Sequence, residues 1–179
     1  MTIQRIMIVG QPGAGKSTLA RALGARTGLP VIHIDKIHYR PGWIERPRPE
    51  KTLLCQEVEA QERWIFEGGH SATWPNRLSR AQMLIWVDLP VGLRLWRVLK
   101  RRAEYARSTR PDLPENCPER LDPAFLRWIW DTRATHRAKM QALFDEAEGK
   151  PRHRLRSQAQ IDAFLAQPPE ALPLGARLS

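Results

Sequence analysis

The chain has 179 residues, 42% of them hydrophobic and 27% charged, which suits one domain with one core and excludes a largely disordered polypeptide. Lys and Arg number 29 against 19 Asp and Glu, a net charge of +10 that suits polyanionic partners: nucleotides, phosphorylated metabolites or nucleic acid. Cys55 and Cys117 stand in no metal-ligand spacing, which excludes a disulfide framework and a cysteine-built zinc site; with no apolar window long enough to span a membrane, a cytoplasmic protein is expected.

Residues 3–9 are short, apolar and rich in β-branched side chains and close on Gly10, the pattern of a buried strand. Residues 16–26 follow as a helix with Leu19, Ala20, Ala22 and Leu23 on one face; Gly28 and Pro30 end it and release a second strand over 31–35. Pro41, Gly42, Pro47 and Pro49 make 37–49 a loop ahead of a helix over 50–63. A third strand spans 64–67 and closes on Gly68 and Gly69. The uninterrupted apolar run 83–87, ending at Asp88, has the profile of a central parallel strand covered on both faces. Asp88 and Pro90 then open a helix over 91–107, and from Val91 to Arg110 seven basic residues face the single acid Glu104. Prolines 111, 114 and 118 exclude a regular helix over 108–122, a mobile excursion, before Pro123 restarts a helix towards 148. A short strand over 153–156 and a helix capped by Ser157, carrying Ile161, Phe164 and Leu165, complete a single domain over 1–167, and the proline-rich tail 168–179 is expected to fray. Strands alternating with helices predict an α/β fold of three αβα layers around a parallel five-stranded sheet, with ligands at the carboxyl ends of the strands.

Gly10-Gln11-Pro12-Gly13-Ala14-Gly15-Lys16-Ser17-Thr18 satisfies the Walker A pattern, and it lies between a predicted strand and a predicted helix, the context the pattern requires. The glycines let successive backbone N–H groups point at an anion, and the helix start adds positive potential. Lys16 is expected to reach the β- and γ-phosphates of ATP, and the Ser17 hydroxyl to bind Mg2+.

With its Gly-x-Pro-Gly-x-Gly-Lys-Ser loop, the chain resembles the adenylate-kinase-like group of small P-loop kinases. More closely it resembles the bacterial DNA topology modulation (FlaR-like) proteins, through Ile34-Asp35, Pro41-Gly42-Trp43, residues 64–69 and 95–102, Arg110-Pro111-Asp112 and residues 125–130. The resemblance implies a nucleoside-monophosphate-kinase-like fold, an acceptor-binding excursion over 36–60 and a short arginine-rich lid over 106–122. It implies a carboxylate at Asp35 that orients or deprotonates an acceptor hydroxyl, or binds the metal; a helix N-cap is the alternative for this residue. Glu67, followed by Gly68, stands where the group has Asp-Gly and is expected to hold Mg2+ through water. The topology label also implies a DNA connection.

Arg94, Arg97 and Arg101 share a helix face, continued by Arg102, Arg107 and Arg110, while Arg133 and Arg137 lie one turn apart on the next helix. As a set they are expected to converge on phosphate: Arg101, Arg110, Arg133 and Arg137 on the transferring group and Arg102 on the nucleotide. Binding of a nucleic-acid backbone is the less favoured use of this surface. Asp88 fits either a magnesium-binding or a helix-capping role, and His33, His38 and His70 read as structural or acceptor-contacting. Trp64, Trp86, Trp128 and Trp130 are expected in the core, and Trp43 beside the acceptor. The activity these features imply is transfer of the ATP γ-phosphoryl group to a small-molecule or nucleotide acceptor; the alternatives are an ATP-regulated DNA-binding protein and a P-loop ATPase without a small-molecule acceptor.

Overall fold

The computed structural model describes residues 3–105, 111–118 and 122–167. Among the described residues, seven strands and eight helices follow one another as β1 (Arg5–Gly10), α1 (Lys16–Thr27), β2 (Val31–His33), α2 (Ile34–His38), β3 (Tyr39–Arg40), β4 (Ile44–Glu45), α3 (Arg48–Ala60) and β5 (Trp64–Glu67), then α4 (Trp74–Arg80), β6 (Met83–Val87), α5 (Val91–Glu104), α6 (Pro123–Asp131), α7 (Arg133–Glu146), β7 (Arg152–Leu155) and α8 (Gln158–Ala166). Five strands make a parallel sheet in the order β2-β5-β1-β6-β7.

Alternation along β1 explains the layering. Ile6 and Ile8 face one side, where they pack with Leu19, Leu23, Ile161 and Phe164 of α1 and α8. Met7 and Val9 face the other, with Ile34, Cys55, Leu78, Met140 and Leu143 of α2, α3, α4 and α7. Both faces are therefore covered, as a parallel sheet requires. Trp64 and Trp86 are fully buried as the sequence predicts, each contributing about 1.5–3 kcal/mol or more by analogy with other large apolar side chains.

Several boundaries differ from expectation, each for a local reason. The second strand stops at His33, so Asp35 lies in the first turn of α2 rather than at a strand end. Residues 39–45 form a small antiparallel hairpin instead of a loop, turned by Gly42 and Trp43 at positive φ of 80° and 63°. The helix expected from 123 onward breaks at Thr132, whose hydroxyl donates to the Trp128 carbonyl; α6 and α7 then run separately. Trp128 and Trp130 of α6 are 43% and 49% exposed, so they are not core residues. The expected excursion is partly packed: Asp112 accepts from Arg21 of α1 at 3.3 Å, and Cys117 is buried. The tail 168–179 and residues 106–110 and 119–121, including Arg107 and Arg110, lie outside the described residues.

Candidate functional site

The phosphate loop leaves β1 in the centre of the sheet and enters α1 through Gly15, whose φ of 93° is a left-handed value suited to glycine. Neither a side-chain cap nor an acidic residue occupies the first turn of α1, so its amides and positive dipole end face the loop. Ala14 N–H donates to the Gln11 carbonyl at 3.1 Å, and Lys16 Nζ folds back to the same carbonyl at 3.3 Å. Burial holds the Lys16 ammonium below its ordinary pKa, against the opposing pull of Glu67 and Asp35; Arg101 and Arg94 lower it further.

Helix α5 braces this loop from above. Arg94 is 2% exposed and donates to the Leu89 carbonyl at 3.2 Å and the Pro12 carbonyl at 3.3 Å. One turn on, Arg97 donates to the Ala14 carbonyl at 3.2 Å and to Gln158 Oε1 at 2.5 Å. A methyl group on Gly13 would overlap the Arg94 carbonyl, so loop and helix touch backbone to backbone. The helical spacing of these arginines was legible, but the carbonyl groups they bind were not.

In the register of the sheet, Glu67 of β5 stands level with Ile8 of β1 and His33 of β2. Its carboxylate is 2% exposed; Oε1 accepts from Ser17 Oγ at 3.0 Å and lies 2.8 Å from His33 Nδ1. Ser17 and Glu67 thus present hard oxygen donors side by side, a set that fits a magnesium ion keeping most of its waters and binding mainly through nucleotide phosphates. Among the described residues, no group of three or more His, Cys, Asp or Glu forms a metal cage. Behind Glu67, Gly68 has φ 107° and meets Ile34 so closely that a Cβ would overlap it. Its carbonyl accepts from Arg77 Nη1 at 3.1 Å, while Arg77 Nε pairs with Glu59 at 3.0 Å, both side chains being fully buried.

A groove of about 1940 Å3 opens over the loop and extends to α2 and the hairpin. Lys16, Ser17, Thr18, Asp35, Glu67 and Arg101 all line it. Its far wall carries Tyr39, Trp43 and Trp74. Trp43 packs edge-on against Tyr39 at 5.1 Å and donates through Nε1 to the Pro118 carbonyl at 3.0 Å. Burial, followed by the Lys51 and His70 charges, pushes His38 down to about 4, so it is neutral at physiological pH.

The remaining predicted residues go elsewhere. Arg102 is half-buried and outside the groove lining. Arg133 and Arg137 line a second cavity of about 520 Å3 together with Asp88. Asp88 does not cap α5, whose N-cap is Pro90 with no side-chain bond. Its Oδ2 accepts from Arg137 Nη2 at 3.0 Å and from Arg154 Nη2 at 2.7 Å. Burial pushes the Asp88 carboxyl upward, but these two arginines outweigh it and hold the pKa below the ordinary value.

No family model matches the chain. Uncharacterized proteins of Mycobacterium bovis and Mycobacterium tuberculosis are 30% identical over 97 residues, which cover 45% of this chain; the chain spans 20% of the length of these curated relatives. Among solved structures, shikimate kinase from Acinetobacter baumannii in complex with shikimate aligns with a TM-score of 0.56 at 19% identity, covering 90% of this chain and 89% of that one. Shikimate kinase from Bacteroides thetaiotaomicron aligns with a TM-score of 0.58 at 19% identity, covering 97% and 100%. The chain therefore has the P-loop fold of these proteins, with the five-stranded parallel sheet and three layers expected from its sequence. No helix among the described residues is long and apolar enough to cross a membrane.

Proposed function

We propose that the protein is an ATP- and magnesium-dependent phosphotransferase of the cytoplasm, adenylate-kinase-like in type and similar to the DNA topology modulation proteins, whose acceptor is a small molecule or a nucleotide. The observation that carries this reading is the meeting of Lys16, the Ser17–Glu67 pair and Asp35 along one groove. The likeness in fold to kinases, one of them bound to shikimate, supports it as well.

In the proposed reaction an acceptor oxygen attacks the γ-phosphorus of ATP, the bond to the β–γ bridging oxygen breaks, and ADP leaves. For a hydroxyl acceptor, the proton passes to the Asp35 carboxylate; a nucleotide phosphate needs no such base. Lys16 neutralises charge on the transferring group, with Arg101 of the same groove and Arg110 as further candidates. Ser17 and Glu67 would hold magnesium, which when bound would supply neutralisation of the phosphate charge. A DNA-binding reading draws on the same arginines, yet Arg94 and Arg97 are committed to the loop's own carbonyls.

Purified protein is incubated with ATP, magnesium and a panel of nucleoside monophosphates, nucleosides, sugars and 5′-hydroxyl oligonucleotides while ADP release is followed. Acceptor-stimulated release that disappears in Lys16→Ala, with the circular dichroism spectrum unchanged, is the expected result. Normal turnover in Lys16→Ala, or no nucleotide binding by the unaltered protein, refutes the proposal.

A further inference from the structure

The second cavity lies beyond the carboxyl ends of β6 and β7, between the start of α5, the first turns of α7 and Gln11 of the phosphate loop. We infer that it is a separate binding site for a phosphate-bearing small molecule, coupled to the phosphate loop through Gln11 and Arg94.

Charge is the first reason. Arg133, Arg137 and Arg156 line the cavity against the single carboxylate of Asp88, beside Arg94, which is committed to the Leu89 and Pro12 carbonyls. That carboxylate is shared, because Arg154 binds it from the sheet side while Arg137 binds it from α7. One negative charge therefore answers several guanidinium groups, and an anionic ligand completes the balance.

Rigidity is the second. The floor is built rather than incidental: Arg94 is 2% exposed and Asp88 9%. Arg133 stacks over the Trp130 ring at 4.2 Å, which fixes the plane of its fork. Guanidinium groups already held in place lose less freedom when they bind a phosphate. Open parallel sheets gather ligands at the carboxyl ends of their strands, and a cavity of about 520 Å3 falls in the range of small-molecule sites.

The link to the phosphate loop is direct. Gln11 Nε2 donates to the Arg133 carbonyl at 2.9 Å, and Arg94 Nη1 to the Pro12 carbonyl at 3.3 Å. A ligand that moves α7 or Arg94 thus alters the loop backbone, and loop occupancy alters the affinity of the cavity by the same factor.

Inorganic pyrophosphate is the probe, titrated by calorimetry into full-length Lys16→Ala protein so that ATP turnover plays no part in the measurement and the phosphotransferase proposal stands or falls separately. One equivalent is expected to bind, and adding Arg156→Ala, an exposed substitution that spares the fold, is expected to weaken it roughly tenfold or more. No binding to Lys16→Ala, or an affinity that Arg156→Ala leaves within about threefold, overturns the assignment. A short DNA duplex that binds more tightly than pyrophosphate, and is equally sensitive to Arg156→Ala, overturns the small-molecule class in favour of a nucleic-acid backbone.

Discussion

The Ser17 hydroxyl donates to Glu67 Oε1 at 3.0 Å, joining the first turn of α1 to the end of β5. If this pair holds magnesium, Glu67→Gln keeps the shape and loses the charge. Turnover is expected to fall about 10- to 100-fold, with a higher magnesium requirement, in a steady-state assay run across magnesium concentrations. Unchanged magnesium dependence would show that Glu67 is structural only.

The Glu59–Arg77 pair is fully buried, and Arg77 also supports the Gly68 carbonyl. Arg77→Met strands a buried carboxylate and is expected to cost about 3–5 kcal/mol by urea denaturation. Adding Glu59→Leu should recover part of that loss by removing the stranded charge. Equal stability of Arg77→Met and the unaltered protein would deny the pair its structural role.

Two glycines make a paired test of close approach. Gly68 combines φ 107° with the overlap against Ile34, so Gly68→Ala is expected to destabilise by at least about 1–3 kcal/mol and to disturb Glu67. Gly92 has open space around it in α5; Gly92→Ala is expected to be neutral or stabilising by up to about 1 kcal/mol. Thermal melts of both variants read the contrast directly, and equal melting temperatures would contradict it.

His38 titrates near pH 4 in the folded protein, whereas the unfolded imidazole titrates near 6.5. Between these values the unfolded chain binds more protons, so stability falls as the pH drops from 6.5 towards 4. Burial also lowers His70, His136 and His153, which gives slopes of the same sign. His38→Gln is therefore expected to flatten the profile of urea midpoint against pH without abolishing the slope. An identical slope in the variant would remove His38 from the account.

The fold was largely legible because its cues are local. The apolar run 83–87, the glycines from Gly10 to Gly15 and Ser157, which caps α8 by accepting from Gln160 N–H, carry their meaning within a few residues. Helix α4 was missed although Thr73 and Pro75 mark its start, a signal that was present and unused. Asp88 illustrates what sequence spacing hides. Ahead of Pro90 it reads as a cap, but its partners Arg137 and Arg154 are 49 and 66 positions away, and only the sheet order brings them together. Trp128 and Trp130 fit an apolar helical pattern, yet both stand exposed on α6. Lys16, Ser17, Asp35 and Glu67 are expected to share one site from the sequence, but the groove that they line depends on strand neighbours that are not neighbours in the chain.

That strand order also governs when the loop can take shape during synthesis. β1 is flanked by β5 and β6, so Gly10 waits for Val87 to be translated before its strand is held on both sides. A nascent chain ending near residue 60 has already made every glycine of the loop, yet has no wall to brace it.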